Sequence, residues 1–120
     1  MKIMIVDDSR AMRMIVRRTL RNAGYEQHPI VEASNGREAL QLIRETSPDL
    51  VLADWNMPEM SGIELITTLR SEGNPVKFGF ITTEGSQERT AMALGEGALF
   101  LIAKPFTVED FKLKMGGLLG

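Results

Sequence analysis

The strongest constraint on this chain is an alternation. Five short apolar, β-branched runs, Lys2–Val6, Pro29–Ala33, Leu50–Ala53, Phe78–Thr82 and Ala98–Ile102, are each followed by a stretch of helical spacing. A helix between consecutive strands returns the chain to the start of the sheet, so the strands run parallel instead of pairing as hairpins. Near-continuous apolar strands suit a sheet covered on both faces. Five strand-helix pairs use the whole of the 120 residues, so a single domain over residues 1–120 is expected, with no repeats or linkers.

Local signals place the helices. Met12, Ile15, Val16, Thr19, Leu20 and Ala23 share one face of a first helix over Ser9–Ala23, which Gly24 can end. Asn35 caps a second over Gly36–Glu45, closed before Ser47-Pro48. Ser61-Gly62-Ile63-Glu64 has the form of a capping box for a third, ending near Gly73-Asn74-Pro75. A fourth follows Ser86 and is kept short by Gly95 and Gly97; a fifth follows Thr107 and is weakened at its end by Gly116-Gly117.

Composition removes several functions. A net charge of -2 with 14 basic and 16 acidic residues gives no basic field for nucleic acid or an anionic membrane. No apolar run reaches the roughly 18–20 residues a bilayer requires. Met1–Val6 leads into Asp7-Asp8 instead of a cleavable signal, so a cytoplasmic protein is expected. With no cysteine and His28 as the only histidine, Cys-type and His-rich metal sites and Ser-His or Cys-His catalytic pairs are excluded.

In an open parallel sheet the functional crevice lies beyond the carboxyl ends of the strands. Asp7 and Asp8 follow the first strand, Asp54 the third, Thr82-Thr83 ends the fourth and Lys104-Pro105 follows the fifth. Three carboxylates about 4 Å apart repel by about 4 kcal/mol per pair at an effective dielectric near 20, so they require a cation or shifted pKa values. A hard divalent ion fits. Magnesium takes oxygen ligands and keeps waters that a phosphate can replace, whereas zinc would want nitrogen or sulfur.

Taken together, Asp7-Asp8, then Asp54-Trp55-Asn56-Met57-Pro58 with Gly62, then Thr82, then Lys104-Pro105-Phe106 resemble a bacterial two-component response-regulator receiver domain, over the whole chain. The segment Asp54–Gly62 is especially similar to stand-alone chemotaxis-type regulators. The resemblance implies a flavodoxin-like, doubly wound (βα)5 fold with strand order 2-1-3-4-5. It implies that Asp54 is the phosphoacceptor, taking a phosphoryl group from a sensor histidine kinase or a small phosphodonor. Asp8 and Asp54 would hold Mg2+ by carboxylates, Asn56 by its backbone carbonyl, and Asp7 largely through metal-bound water. Lys104 would neutralise the phosphoryl oxygens and Thr82 would hydrogen-bond one of them. A cis Lys104-Pro105 bond would aim the ammonium inward. Such a protein is a signalling switch, catalysing only its own phosphorylation and dephosphorylation, and it binds a downstream protein through the face of the fourth helix, fifth strand and fifth helix. It would be a monomer or a phosphorylation-dependent dimer.

The chain departs from that pattern at Leu101, where the family often has an aromatic that rotates inward when the threonine moves; Phe100 lies beside it. Either Leu101 merely packs, or coupling runs through Thr82 and the following loop alone. Asn56 and Glu84 occupy positions that influence access of hydrolytic water and would tune phosphate lifetime. Outside the site, the Arg10, Arg13, Arg17 and Arg21 stripe reads as a solvated helix face, His28 as an exposed loop residue, and the eight methionines as flexible core filler. Trp55 either packs or lines the access path. The stretch Ala91–Ile102 is either an output face or ordinary core.

Three other readings use the same residues. The chain could be the receiver piece of a larger transcriptional regulator. A magnesium phosphohydrolase with an aspartyl-phosphate would place a second acid where Asn56 stands, and would need length for a cap. A flavin-binding module of this fold would need a Ser-, Thr- and Gly-rich phosphate loop where Asp7-Asp8 would repel the cofactor.

Overall fold

The structure, a computed structural model, describes residues 1–118; Leu119 and Gly120, the last two positions of the domain expected over 1–120, lie outside the described residues. Strand and helix alternate as β1 (Ile3–Val6), α1 (Arg10–Leu20), β2 (Ile30–Ala33), α2 (Gly36–Thr46), β3 (Leu50–Ala53), α3 (Gly62–Ser71), β4 (Lys77–Thr82), α4 (Gln87–Gly95), β5 (Phe100–Ala103) and α5 (Val108–Met115). The sheet is parallel with order β2-β1-β3-β4-β5, the expected flavodoxin-like order.

The period-two alternation of strands sorts side chains into two layers. Met4, Val6, Val51, Ala53, Phe78, Phe80 and Leu101 face α2, α3 and α4. Ile3, Ile5, Leu50, Leu52, Ile81, Phe100 and Ile102 face α1 and α5, where Val16, Leu20, Phe111 and Met115 meet them. Full burial of one such side chain stabilises by about 1.5–3 kcal/mol. Phe100 lies on the bare backbone of its neighbour Gly79 in β4; a Cβ at that position would come within 2.2 Å of the ring.

Side-chain caps start the helices at Ser9, Asn35, Ser61, Ser86 and Thr107, with reciprocal capping boxes at Ser61/Glu64 and Thr107/Asp110. Each box satisfies two amide groups that a helix start would otherwise leave without partners. The first helix ends earlier than its periodicity suggests. After Leu20 the chain widens into a π turn over Arg21–Tyr25, with Gly24 at φ +99°, so Gly24 breaks the helix as expected.

Several expectations change. Ile15 is 43% exposed because the helix turns Val16, Thr19 and Leu20 inward, with Met12 partly buried beside them, and leaves Ile15 at the edge of that face. Strand β2 is only partly buried, as befits an edge, and its outward Glu32 takes Arg13 at 2.8 Å and Arg17 at 3.4 Å, so half of the arginine stripe is paired to the sheet. His28 is half-buried, its ring near Tyr25. The methionines divide: Met4 and Met115 are core, while Met1, Met14 and Met92 are exposed.

Candidate functional site

Parallel register brings the carboxyl ends of the strands level, with Val6 beside both Ala33 and Ala53, and Thr82 beside Ala103. The next residue in each segment is held by continued backbone pairing. The Asp7 amide donates to the Ala33 carbonyl at 3.1 Å, that of Asp54 to Val6 at 2.9 Å, and that of Lys104 to Thr82 at 2.7 Å. Side chains from three loops are thus fixed at one rim by the sheet itself.

Asp7, Asp8 and Asp54 each offer a carboxylate oxygen, and these oxygens lie within 4.8 Å of one another. Asp7 is buried, Asp54 partly buried and Asp8 exposed. Lys104 reaches in from the β5 side, its Nζ 3.2 Å from Asp7 Oδ2 and 3.4 Å from Asp54 Oδ2. The Lys104-Pro105 peptide is cis, as the resemblance implies. One ammonium among three carboxylates leaves two negative charges, which one divalent cation balances. The donor set is all oxygen and suits a hard ion such as magnesium.

Asp7 and Asp54 are oriented differently. Asp7 Oδ1 accepts the Ser9 amide at 2.8 Å, and its own carbonyl accepts Arg13 Nη1 at 2.6 Å. Asp54 Oδ1 accepts the Trp55 amide at 2.7 Å, which leaves Oδ2 toward Lys104. Burial raises the Asp54 carboxyl above its ordinary value; the Lys104 charge opposes that rise, and the Asp7 charge adds to it.

Gly62 closes the loop beneath the acid. Its amide donates to the Trp55 carbonyl at 2.8 Å, and a Cβ there would meet the Asp54 carbonyl oxygen at 2.3 Å and the Phe80 ring at 2.8 Å. The glycine permits the first turn of α3 to touch the Asp54 segment. Similarly, a Cβ on Gly36 would come within 2.5 Å of the Met60 carbonyl.

The remaining candidates are placed less directly. Thr82 is fully buried at the end of β4 and its Oγ1 accepts the Glu84 amide at 3.3 Å, which leaves the hydroxyl hydrogen as a donor. Among the described residues its side chain makes no bond to Asp54 or Lys104. Asn56 is exposed, two residues beyond Asp54 in the loop before α3. Leu101 is buried in the same layer as Trp55 and Phe80, so it packs; Phe100 points to the other layer.

Trp55 is buried, its ring 4.9 Å from that of Phe80. Two neighbours were not legible in the sequence. Arg13 braces the Asp7 carbonyl, and Arg89 of α4 lies over the Trp55 ring, with Cζ 4.6 Å from its centroid. Neither carries a local signal, because each contact depends on where a whole helix packs.

The response regulator receiver domain model matches residues 3–115. The chain is 40% identical over 123 residues to chemotaxis protein CheY1 of Helicobacter pylori, covering all of this chain and 98% of that protein. It is 39% identical to a chemotaxis protein CheY homolog of Campylobacter jejuni, covering 93% of that protein. A solved structure of the chemotaxis response regulator CheY4 of Vibrio cholerae superposes with a TM-score of 0.83 at 31% identity, over 98% of this chain and 97% of that one. By its sheet order, its acidic rim and these relatives, the chain belongs to the response regulator receiver domain family.

Proposed function

We propose that this protein is a phosphorylation-driven signalling switch whose single receiver unit accepts a phosphoryl group on Asp54, in magnesium, from the phosphohistidine of a sensor kinase or from a small phosphodonor. The observation that carries the reading is the clustering of the Asp7, Asp8 and Asp54 oxygens within 4.8 Å, with Lys104 Nζ against two of them. Asp8, Asp54 and the Asn56 carbonyl would hold the ion, with Asp7 acting through its water. Bound magnesium would supply charge neutralisation at the phosphoryl oxygens.

The chain's own groups do the rest. A carboxylate oxygen of Asp54 forms the bond to phosphorus as the bond from phosphorus to the donor's imidazole nitrogen breaks, giving an acyl phosphate. The transition state spreads negative charge over the equatorial oxygens, and an ammonium fixed between Asp7 and Asp54 stands where that charge develops. The Thr82 hydroxyl would donate to a phosphoryl oxygen once its loop shifts. Exposed Asn56 and Glu84 would govern the approach of water and so the lifetime of the phosphate.

Output would run through a cytoplasmic protein target on the face of α4, β5 and α5, where Leu94, Leu99 and Leu113 are exposed along one groove. Apolar side chains gathered on one surface favour protein contact. The relatives above are chemotaxis proteins by name, which makes chemotaxis-type signalling the proposed setting. Incubation with acetyl phosphate and magnesium, read by intact mass, should add one phosphate to the wild type and none to Asp54→Asn. An adduct that persists in the variant would place the nucleophile elsewhere.

A further inference from the structure

Beside the acidic rim, a chain of contacts joins α4 to the phosphoacceptor through one side chain. Arg89, in the first turn of α4, lays its guanidinium over the Trp55 indole at 4.6 Å and pairs through Nη2 with Glu84 Oε2 at 3.1 Å. Its Nη1 is buried without a hydrogen-bond acceptor among the described residues. At one end of the chain the Trp55 amide donates to Asp54 Oδ1 at 2.7 Å; at the other the Glu84 amide donates to Thr82 Oγ1 at 3.3 Å. Asp54, Trp55, Arg89, Glu84 and Thr82 therefore form a bridge across the ends of β3 and β4, and α4 hangs from its middle.

The chemistry of that bridge suits a contact that must change. A guanidinium is planar and weakly hydrated, so it stacks on an aromatic face that an ammonium grips only as a point charge. Glu84 is largely exposed, which makes its ion pair weakly held. A buried nitrogen that lacks an acceptor makes the arrangement easy to exchange for another. Leu101, packed below the loop with its Cδ2 3.7 Å from where a Gly85 Cβ would lie, has no ring to swing in.

We propose that Arg89 is the positioning residue by which α4 senses Asp54: a phosphoryl group that engages the Trp55 amide and the Thr82 hydroxyl disturbs both holds on the guanidinium and releases α4 to a second position. The inference rests on the phosphoacceptor reading above. Two sites biasing one element that has two arrangements is what coupling between them requires.

The test compares the full chain with Arg89→Ala and Arg89→Lys, in magnesium and in magnesium with beryllofluoride, a phosphoryl mimic. The fluorine resonance reports whether the mimic is bound, and amide chemical shifts of Gln87–Gly95 report α4. In the wild type, binding of the mimic should move the α4 amides. Arg89→Ala should bind the mimic and keep the shifts at Asp8 and Lys104 while losing those of α4, and Arg89→Lys should recover part of them. A full α4 response in Arg89→Ala overturns the proposal alone. No bound fluorine signal in the wild type overturns the phosphoacceptor reading and this proposal with it. If Arg89→Ala does not fold, Arg89→Gln, which keeps the stem and loses the charge, carries the same comparison to the same two outcomes.

Discussion

In magnesium-free solution the Lys104 ammonium, 3.2 Å from Asp7 and 3.4 Å from Asp54, is the cation that holds two like charges side by side. Its side chain and that of Asp7 are nearly buried, so removing one partner strands charge away from water. Lys104→Ala should therefore lower metal-free stability by about 3 kcal/mol. Magnesium should return part of the loss, since on the proposed reading it would bind the folded state alone. Urea melts with and without the ion measure both. Asp54 has the opposite sign. Its carboxyl is raised by burial against the pull of Lys104, so the folded protein keeps that proton to higher pH than the unfolded chain does. The resulting stability is fully present below the unfolded value near 3.9 and is lost as pH rises through the folded one. Asp54→Asn should raise the metal-free melting temperature at neutral pH, and the gain should vanish below about pH 4. An equal gain at both pH values would contradict the assignment.

At the start of α3, two adjacent residues separate helix stability from site geometry. Ser61 caps the helix and Glu64 returns a bond to its amide. Ser61→Ala should cost about 1 kcal/mol and leave magnesium binding close to that of the wild type. The bonds from the Ser61 amide and hydroxyl hold the exposed Glu64 carboxyl below its usual range, so its contribution is present above that range and is lost as pH falls through the lowered value. Gly62→Ala should cost about 1–3 kcal/mol by overpacking. It should also weaken magnesium binding, because its Cβ would push on the Asp54 carbonyl. A magnesium titration of the emission of Trp55, the single tryptophan, distinguishes the two variants. The caps at Asn35, Ser61, Ser86 and Thr107 were legible in the sequence because a cap is decided within four residues. So were Asp7, Asp8, Asp54 and Lys104, since the end of a parallel strand delivers its next residues to the rim. Ile15, the pairing of Arg13 and Arg17 with Glu32, and the seat of Arg89 over Trp55 were not legible. Each depends on the rotation and placement of a packed helix, which no short window of sequence contains.

Across the whole molecule, each strand gives side chains to both layers, so the two cores share one sheet and neither can form without it. Unfolding should be one transition. Trp55 emission reports the α2–α4 side and far-UV circular dichroism reports all the helices; their urea midpoints should coincide, and separate midpoints would show that the α1–α5 side opens by itself. The seating of Phe100 on Gly79 also limits how a lineage carrying this sequence can change. A side chain at position 79 is blocked while the ring is present, so the ring must shrink before the glycine can be replaced. Positions 100 and 101 face opposite layers, so moving the aromatic one place along β5 empties one side of the sheet and crowds the other. Moving the aromatic therefore calls for compensating substitutions on both faces of the sheet, and the placement of one ring thus acts as a historical commitment.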